Sequence, residues 1–180
     1  MAFDGKPRWR RQRVQDVMVA ELSGTEEFDQ FFRAEYPKLV AVAMGLTGNR
    51  ETARELAQEA LLRCHSAWPR VAGMDAPGAW VRRVLLNLAT DLHRAELRSR
   101  RPAVWALADN VTTLADPVID GWWSAVRALP DRQRAVVVLH YVEDRSVLDI
   151  AAVLGIAEGT VKATLARARR TLARTISEDQ

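Results

Sequence analysis

Apolar residues recur at steps of three and four along most of this chain, the spacing of amphipathic helices, and the alternation that marks strands is nearly absent. Phe28, Phe31, Phe32, Tyr36, Leu39, Val40, Ala43 and Leu46 follow that spacing. Thr25 stands where it would cap this helix, Pro37 where it would kink it, and Thr47-Gly48-Asn49 where it would end it. A second stripe runs through Ala53, Leu56, Ala57, Ala60, Leu61, Cys64 and Trp68 and stops at Pro69. A third starts near Pro77-Gly78 and carries Trp80, Val81, Val84, Leu85, Leu88, Leu92 and Ala95. Three such helices can bury a common core, which predicts a helical domain over residues 25–101.

Residues 102–119 lose the period and contain Pro102, Asn110, Thr112, Thr113 and Pro117, which predicts a flexible linker with a short helical turn at Val104–Leu107. A second domain over 120–180 begins with Trp122, Trp123, Val126 and Leu129, continues with Val136–Tyr141 after Pro130-Asp131, and closes with two short helices. In the first of these, Ser146 caps a face made of Val147, Ile150, Ala151 and Leu154. Gly155 then supplies a sharp turn, because glycine takes positive φ without steric cost. The last helix starts near Glu158 with the stripe Val161, Leu165, Ala168, Leu172 and Ile176. Ala157 at its N-cap forgoes about 1 kcal/mol against Ser or Asp, and Glu158 partly offsets this through the helix dipole. The fold class is therefore all-α: two small helical domains joined by a flexible linker.

Length and composition fit this picture. The 180 residues are 48% hydrophobic and 27% charged, with nine Gly and seven Pro, values of a globular chain of one or two small domains. Net charge is only +3, but 23 of the 26 bases are arginine and the charges fall in blocks. Residues 1–15 hold Lys6, Arg8, Arg10, Arg11 and Arg13 against Asp4, a net of +4. Residues 16–62 set nine acids against four bases, a net of −5. Arg94, Arg98, Arg100 and Arg101 against Glu96 give +3 over 93–101, and Asp109, Asp116 and Asp120 give −3 over 102–124. The last helix has Lys162, Arg167, Arg169, Arg170 and Arg174 with no acid between 159 and 176, a net of +5. Blocks of this kind suggest two nucleic-acid surfaces separated by acidic patches, or solvated helix faces.

Several classes of chemistry are set aside. A single cysteine, Cys64, cannot form an internal disulfide and reads as a buried small apolar group. One Cys and the scattered His65, His93 and His140 make no four-ligand zinc site. No Gly-rich phosphate loop or nucleophile–base pair is present, so neither an enzyme nor a bound cofactor is expected. No apolar run approaches a membrane span, and the N-terminal arginines are not followed by the apolar core of an export signal. The chain is expected to be cytoplasmic.

Helix, turn at Gly155 and basic helix together have the organisation of a helix-turn-helix. Leu129-Pro130-Asp131-Arg132-Gln133-Arg134-Ala135-Val136, with Asp149-Ile150-Ala151, Leu154-Gly155-Ile156 and Gly159-Thr160-Val161-Lys162, resembles region 4 of bacterial sigma factors. Arg54-Glu55-Leu56-Ala57-Gln58-Glu59 resembles region 2.2. Pro77-Gly78-Ala79-Trp80-Val81-Arg82-Arg83 and Leu86-Asn87-Leu88-Ala89-Thr90-Asp91 resemble regions 2.3 and 2.4. Together they are similar to group 4, the extracytoplasmic-function (ECF) sigma factors, over about residues 26–100 and 120–176.

The resemblance implies a subunit that binds RNA polymerase core and directs promoter-specific initiation. Glu55, Gln58 and Glu59 would meet the clamp helices of the beta-prime subunit, and region 4 the beta flap. Arg82, Arg83, Asn87, Asp91 and Arg94 would open and grip the −10 element of promoter DNA. Trp80 lies in the same stretch, as a stacking platform or a core residue. Thr160, Lys162, Ala163 and Arg167 would reach −35 bases, with Arg170 and Arg174 on phosphates. It also leaves room for an anti-sigma partner. Related sequences often carry Ser-Arg after Gly-Thr-Val-Lys, where this chain has Ala163-Thr164, and Arg54 precedes Glu55 where an acidic pair is usual. Residues 1–24 exceed the family core and form a basic extension, with Val14, Val17, Met18 and Leu22 able to make a short helix. The competing reading is a free-standing helix-turn-helix repressor or activator whose first half is an effector or dimer domain.

Overall fold

Asn49 separates the first two helices, with its side-chain oxygen accepting from the Thr52 amide at 2.8 Å, so the chain turns back on itself just after Gly48. The helices this turn joins are α1 (Arg8–Thr47) and α2 (Arg50–Ser66); α3 (Trp68–Val71) is a single turn and α4 (Pro77–Ser99) completes the first half. The second half holds α5 (Pro117–Ala128), α6 (Asp131–Tyr141), α7 (Val147–Leu154) and α8 (Glu158–Glu178). The structure, a computed structural model, describes residues 8–99 and 117–178. No strand occurs among the described residues, and none of their helices is long and apolar enough to cross a membrane.

Four boundaries differ from the sequence expectation. Helix α1 does not start at Thr25; it is 40 residues long and runs through Gly24 and Thr25, taking in the Val14–Leu22 segment. An interior glycine costs a helix only about 1 kcal/mol, which the helix-forming neighbours on both sides absorb. Pro37 lies inside α1 as expected. The second helix stops at Ser66 rather than at Pro69, and Pro69 instead sits in the first turn of α3, where a missing N–H costs nothing. The closing helix α8 is not short but 21 residues long. Helix α5 begins at Pro117, inside the expected linker 102–119, and the rest of that linker, with the turn at Val104–Leu107, lies outside the described residues.

Helices α1, α2 and α4 pack on one another, with Leu39, Val42, Leu61, Cys64, Val81 and Leu85 fully buried between them. Each large aliphatic side chain enclosed in this way contributes about 1.5–3 kcal/mol of burial. Burial also pushes the Cys64 thiol up to about 11, so it behaves as the small apolar group expected. Helices α5 to α8 surround a second set, Val126, Leu129, Val136, Leu139, Ile150 and Val161.

The two halves also pack against each other. α1 lies on α5 and α6, α4 lies on α7, and the buried residues join into one cluster. Gly45 is one point of close approach: a Cβ there would stand 3.1 Å from a methyl of Val138 on α6 and 3.4 Å from the Trp123 ring on α5. A face of α1 is thus shaped by sequence to receive the second half.

Candidate nucleic-acid and polymerase interfaces

The helix-turn-helix is fixed by local chemistry. The Ser146 Oγ accepts from the Asp149 amide at 3.1 Å, and the Asp149 carboxylate accepts from the Ser146 amide and hydroxyl at 3.3 and 2.7 Å. This capping box satisfies donors that the helix start leaves free. The Ser146 hydroxyl donating to it holds the Asp149 carboxyl below the ordinary carboxylate range. At the other end Gly155 takes φ 65° and ψ 41°, and the Ile156 amide donates back to the Ala151 carbonyl at 3.1 Å. Both sequence expectations for this unit hold.

On α8, Val161, Leu165, Ala168 and Leu172 are buried. Ala163, Arg167, Arg170 and Arg174 lie within a sector of about 60° on the opposite side, at 100° per residue, and all four are exposed. Thr160 and Lys162 are exposed beside them near the helix start, with Lys162 4.0 Å from Glu158. Arg169 is held apart from this face: its Nε donates to the Tyr141 hydroxyl at 2.9 Å and its guanidinium lies 5.9 Å from the Tyr141 ring centre. Of the −35 set named from sequence, Ala163, Arg167, Arg170 and Arg174 share one open, cationic helix face with Thr160 at its edge, while Lys162 lies on the flank that Arg169 occupies.

On α4 the expected set divides. Arg83, Asn87, Asp91 and Arg94 project within about 80° of one another and are exposed. Arg82 points about 100° away and is completely buried. Its Nη1 donates to the Gly78 carbonyl at 2.8 Å and pairs with Glu35 of α1. Its Nε donates to the Glu143 carboxylate of the α6–α7 turn at 2.7 Å, and Nη2 donates to the same group. Burial alone would disfavour the cation, but hydrogen bonds and charge from Glu143 and Glu35 outweigh it and hold Arg82 protonated. Burial likewise acts to raise the Glu35 carboxyl, but Lys38 and Arg82 overcome it and hold the group below its ordinary value. Arg83 is also engaged: Nε and Nη2 donate to the Val153 and Ala152 carbonyls, each at 2.8 Å. It thereby caps the C-terminal end of α7, where carbonyls lack helical partners. Trp80 is half-buried against the core, the packing alternative of the two.

Glu55, Gln58 and Glu59 lie on one face of α2 with the exposed Leu62, at the rim of an open groove of about 480 Å³ between α1 and α2. Phe28 and Phe32 of α1 contribute its apolar wall. These rings are set by an aromatic cluster: Phe28 packs edge-on to His65 and Trp68 at 4.7 and 5.2 Å, and Phe32 stacks on Tyr36 at 5.3 Å. An apolar trough with carboxylates at its rim suits a protein partner bearing apolar and basic groups.

Sequence reasoning did not find Glu35, Glu143 or the apolar side of this groove. Phe28 is buried in the core as its spacing predicts, and it also lines the groove together with Phe32. Nothing in the local sequence links Glu143 to Arg82, sixty-one positions away.

The chain thus sets two basic helices, one in a helix-turn-helix and one on a three-helix bundle beside an acidic-rimmed groove. Residues 31–101 match the family description "Sigma-70 region 2" and residues 121–172 match "Sigma-70, region 4". The chain is 32% identical over 163 residues to the ECF RNA polymerase sigma factor SigM of Mycobacterium tuberculosis, covering 88% of this chain and 82% of that one. It is 33% identical over 146 residues to the RNA polymerase sigma-E factor of Streptomyces antibioticus, covering 79% and 80%. Its fold is shared with the sigma factor RpoE of Bartonella quintana, solved with the anti-sigma factor NepR (TM-score 0.66, 24% identity, covering 86% of this chain and 99% of that one). CnrH, solved with the cytosolic domain of CnrY, shares it too (TM-score 0.65, 22% identity, 91% and 97%). The chain belongs to the sigma-70 family, in its extracytoplasmic-function group. It acts with RNA polymerase core in promoter-specific transcription initiation, region 2 opening the −10 element and region 4 reading the −35 element.

Proposed function

We propose that the residues brought together on α2, α4 and α8 carry the three contacts of this activity. On α8, Thr160, Lys162, Ala163 and Arg167 reach base edges in the −35 major groove, and Arg170 and Arg174 hold phosphates one to two turns further on. The observation that carries this reading is the open cationic face of α8, set opposite a fully buried stripe and held at a fixed angle by the Ser146 and Gly155 caps. On α4, Arg83, Asn87, Asp91 and Arg94 form the −10 face, cations gripping the strand while polar groups select a base. Arg82 belongs to the same stretch and takes part only in an arrangement where Glu143 has left it.

The α1–α2 groove receives the beta-prime clamp helices, with Glu55, Gln58 and Glu59 pairing with basic groups at its rim, and region 4 docks on the beta flap. The bond-making chemistry belongs to the polymerase, and the factor acts in the cytoplasm where transcription takes place. An anti-sigma factor is a further partner of this chain; two related folds were solved with such proteins or a cytosolic domain bound.

Run-off transcription with purified core polymerase tests the assignment. Added factor is expected to direct initiation at a discrete promoter. Asn87→Ala should reduce promoter opening, read by permanganate reactivity at −10 thymines, with core affinity unchanged. Core binding without promoter-specific run-off would refute the reading. Protection of a palindromic operator in the absence of core would replace it with a free-standing repressor.

A further inference from the structure

The −10 face of α4 begins with two arginines, and in the free chain both are occupied by the other half of the molecule. Arg83 donates to the last carbonyls of α7, and Arg82 is clasped by Glu143. Glu143 is held in place by its own turn. The Arg145 amide donates to the Leu139 carbonyl at 3.1 Å, Asp144 takes φ 51°, and the Arg145 side chain stands 3.6 Å from the Glu143 carboxylate. The same interface holds a further pair, with His93 of α4 3.7 Å from Asp131 at the start of α6. Gly45 lets α1 approach Val138 closely, so closure is packed as well as paired.

We infer that Glu143 is an internal latch: its carboxylate takes the place of a nucleic-acid phosphate on Arg82, and with the Arg83–α7 contact it keeps the free factor closed. The chemistry is that of an anion competing for one guanidinium. A bidentate carboxylate and a phosphate present matching oxygen pairs to the same nitrogens, so the closed state and the strand-gripping state exclude each other. Meanwhile the α1–α2 groove and the cationic face of α8 remain open in the closed state. Core binding and −35 contact can thus begin before the latch opens, and their differential affinity for the open form drives opening. The inference rests on the assignment of Arg82 and Arg83 to the −10 stretch.

Glu143→Gln tests it, since the amide keeps the shape and loses the charge. With fluorophores on α2 and α8 of the full chain, the wild type should show one short distance that lengthens when core and promoter are added. E143Q should populate the long distance without them and bind a −10 single-stranded oligonucleotide at least tenfold more tightly. Cysteines at Gly45 and Val138, at a contact close enough for a disulfide, lock the closed form. The oxidised protein should lose promoter opening at least tenfold and regain it with reductant, the reduced form controlling for folding. Cys64, buried, stays out of this exchange. An unchanged distance in E143Q, or full opening by the oxidised pair, would overturn the latch. A chain that opens as described but directs no specific run-off keeps the latch and removes the promoter assignment instead.

Discussion

Helices α4 and α8 carry arginines at comparable density, yet their cations are in different states. On α8, Arg167, Arg170 and Arg174 face outward, opposite a buried stripe. On α4, Arg82 is fully enclosed between carboxylates from α1 and the α6–α7 turn, and Arg83 is bound to backbone carbonyls of α7. The difference shows that net charge along a segment measures supply, not availability. A helix whose acids lie far away in sequence can look as basic as a DNA-binding helix while its cations are already spent.

The sharpest way to break this comparison is Arg82→Ala. Removing the buried partner of an ion pair costs up to about 3–5 kcal/mol, here reduced because Glu35 keeps Lys38 and Glu143 keeps Arg145. Glu35 and Glu143 are the groups left behind, with side chains only 12% and 6% exposed. Urea denaturation of the variant should show a clear loss below that limit, whereas Arg167→Ala should leave the midpoint nearly unchanged. Equal small effects at both positions would erase the distinction between a bound and a free cation.

A smaller effect separates two neighbours within α8. Arg167 faces outward, so Arg167→Ala should weaken −35-dependent initiation by about tenfold, the scale of a single base contact of 1–3 kcal/mol. Arg169 is tied to Tyr141, and Arg169→Ala should lower run-off by no more than about twofold. The measurement is run-off from a promoter with intact and scrambled −35 elements. If both substitutions act alike, the recognition face is wider than the sector assigned to it.

How far the sequence discloses these states follows from the range of each interaction. Ser146, Gly155 and the α8 stripe act within four residues of themselves, and caps and periodicity reveal them directly. The α2 and α4 stripes are legible for the same reason. Helix α1 is not: Thr25 has the chemistry of a cap, but α1 continues through it, and nothing local says which outcome wins. Arg82 and Arg83 are adjacent in a motif and indistinguishable by type. Their 100° separation on the helix sends one into a pairing with Glu143 that only the tertiary fold creates. The expectation of two domains on a flexible linker missed Gly45 for a related reason, since a glycine that admits a neighbouring helix looks like any other glycine.

The smallest predicted effect concerns the cap that aims α8. Ser146→Ala removes the acceptor for the Asp149 amide and should cost about 1 kcal/mol near neutral pH, the usual loss at an N-cap. The loss should shrink in acid. Asp149 is held below its ordinary value of 3.8 chiefly by the Ser146 hydroxyl, so its folded-state value is depressed. Such a group stabilises the fold above its unfolded value, and that contribution disappears as pH falls through the folded value. The gap in melting temperature between wild type and variant should therefore narrow, without closing, as pH falls below the unfolded value of about 3.8, and be full at pH 7. Because α7 presents its C-terminal carbonyls to Arg83, the cap also bears on the closed interface. A Ser146→Ala chain that loses stability yet keeps the short interdomain distance would show that α7 is held by the latch as well as by its own cap.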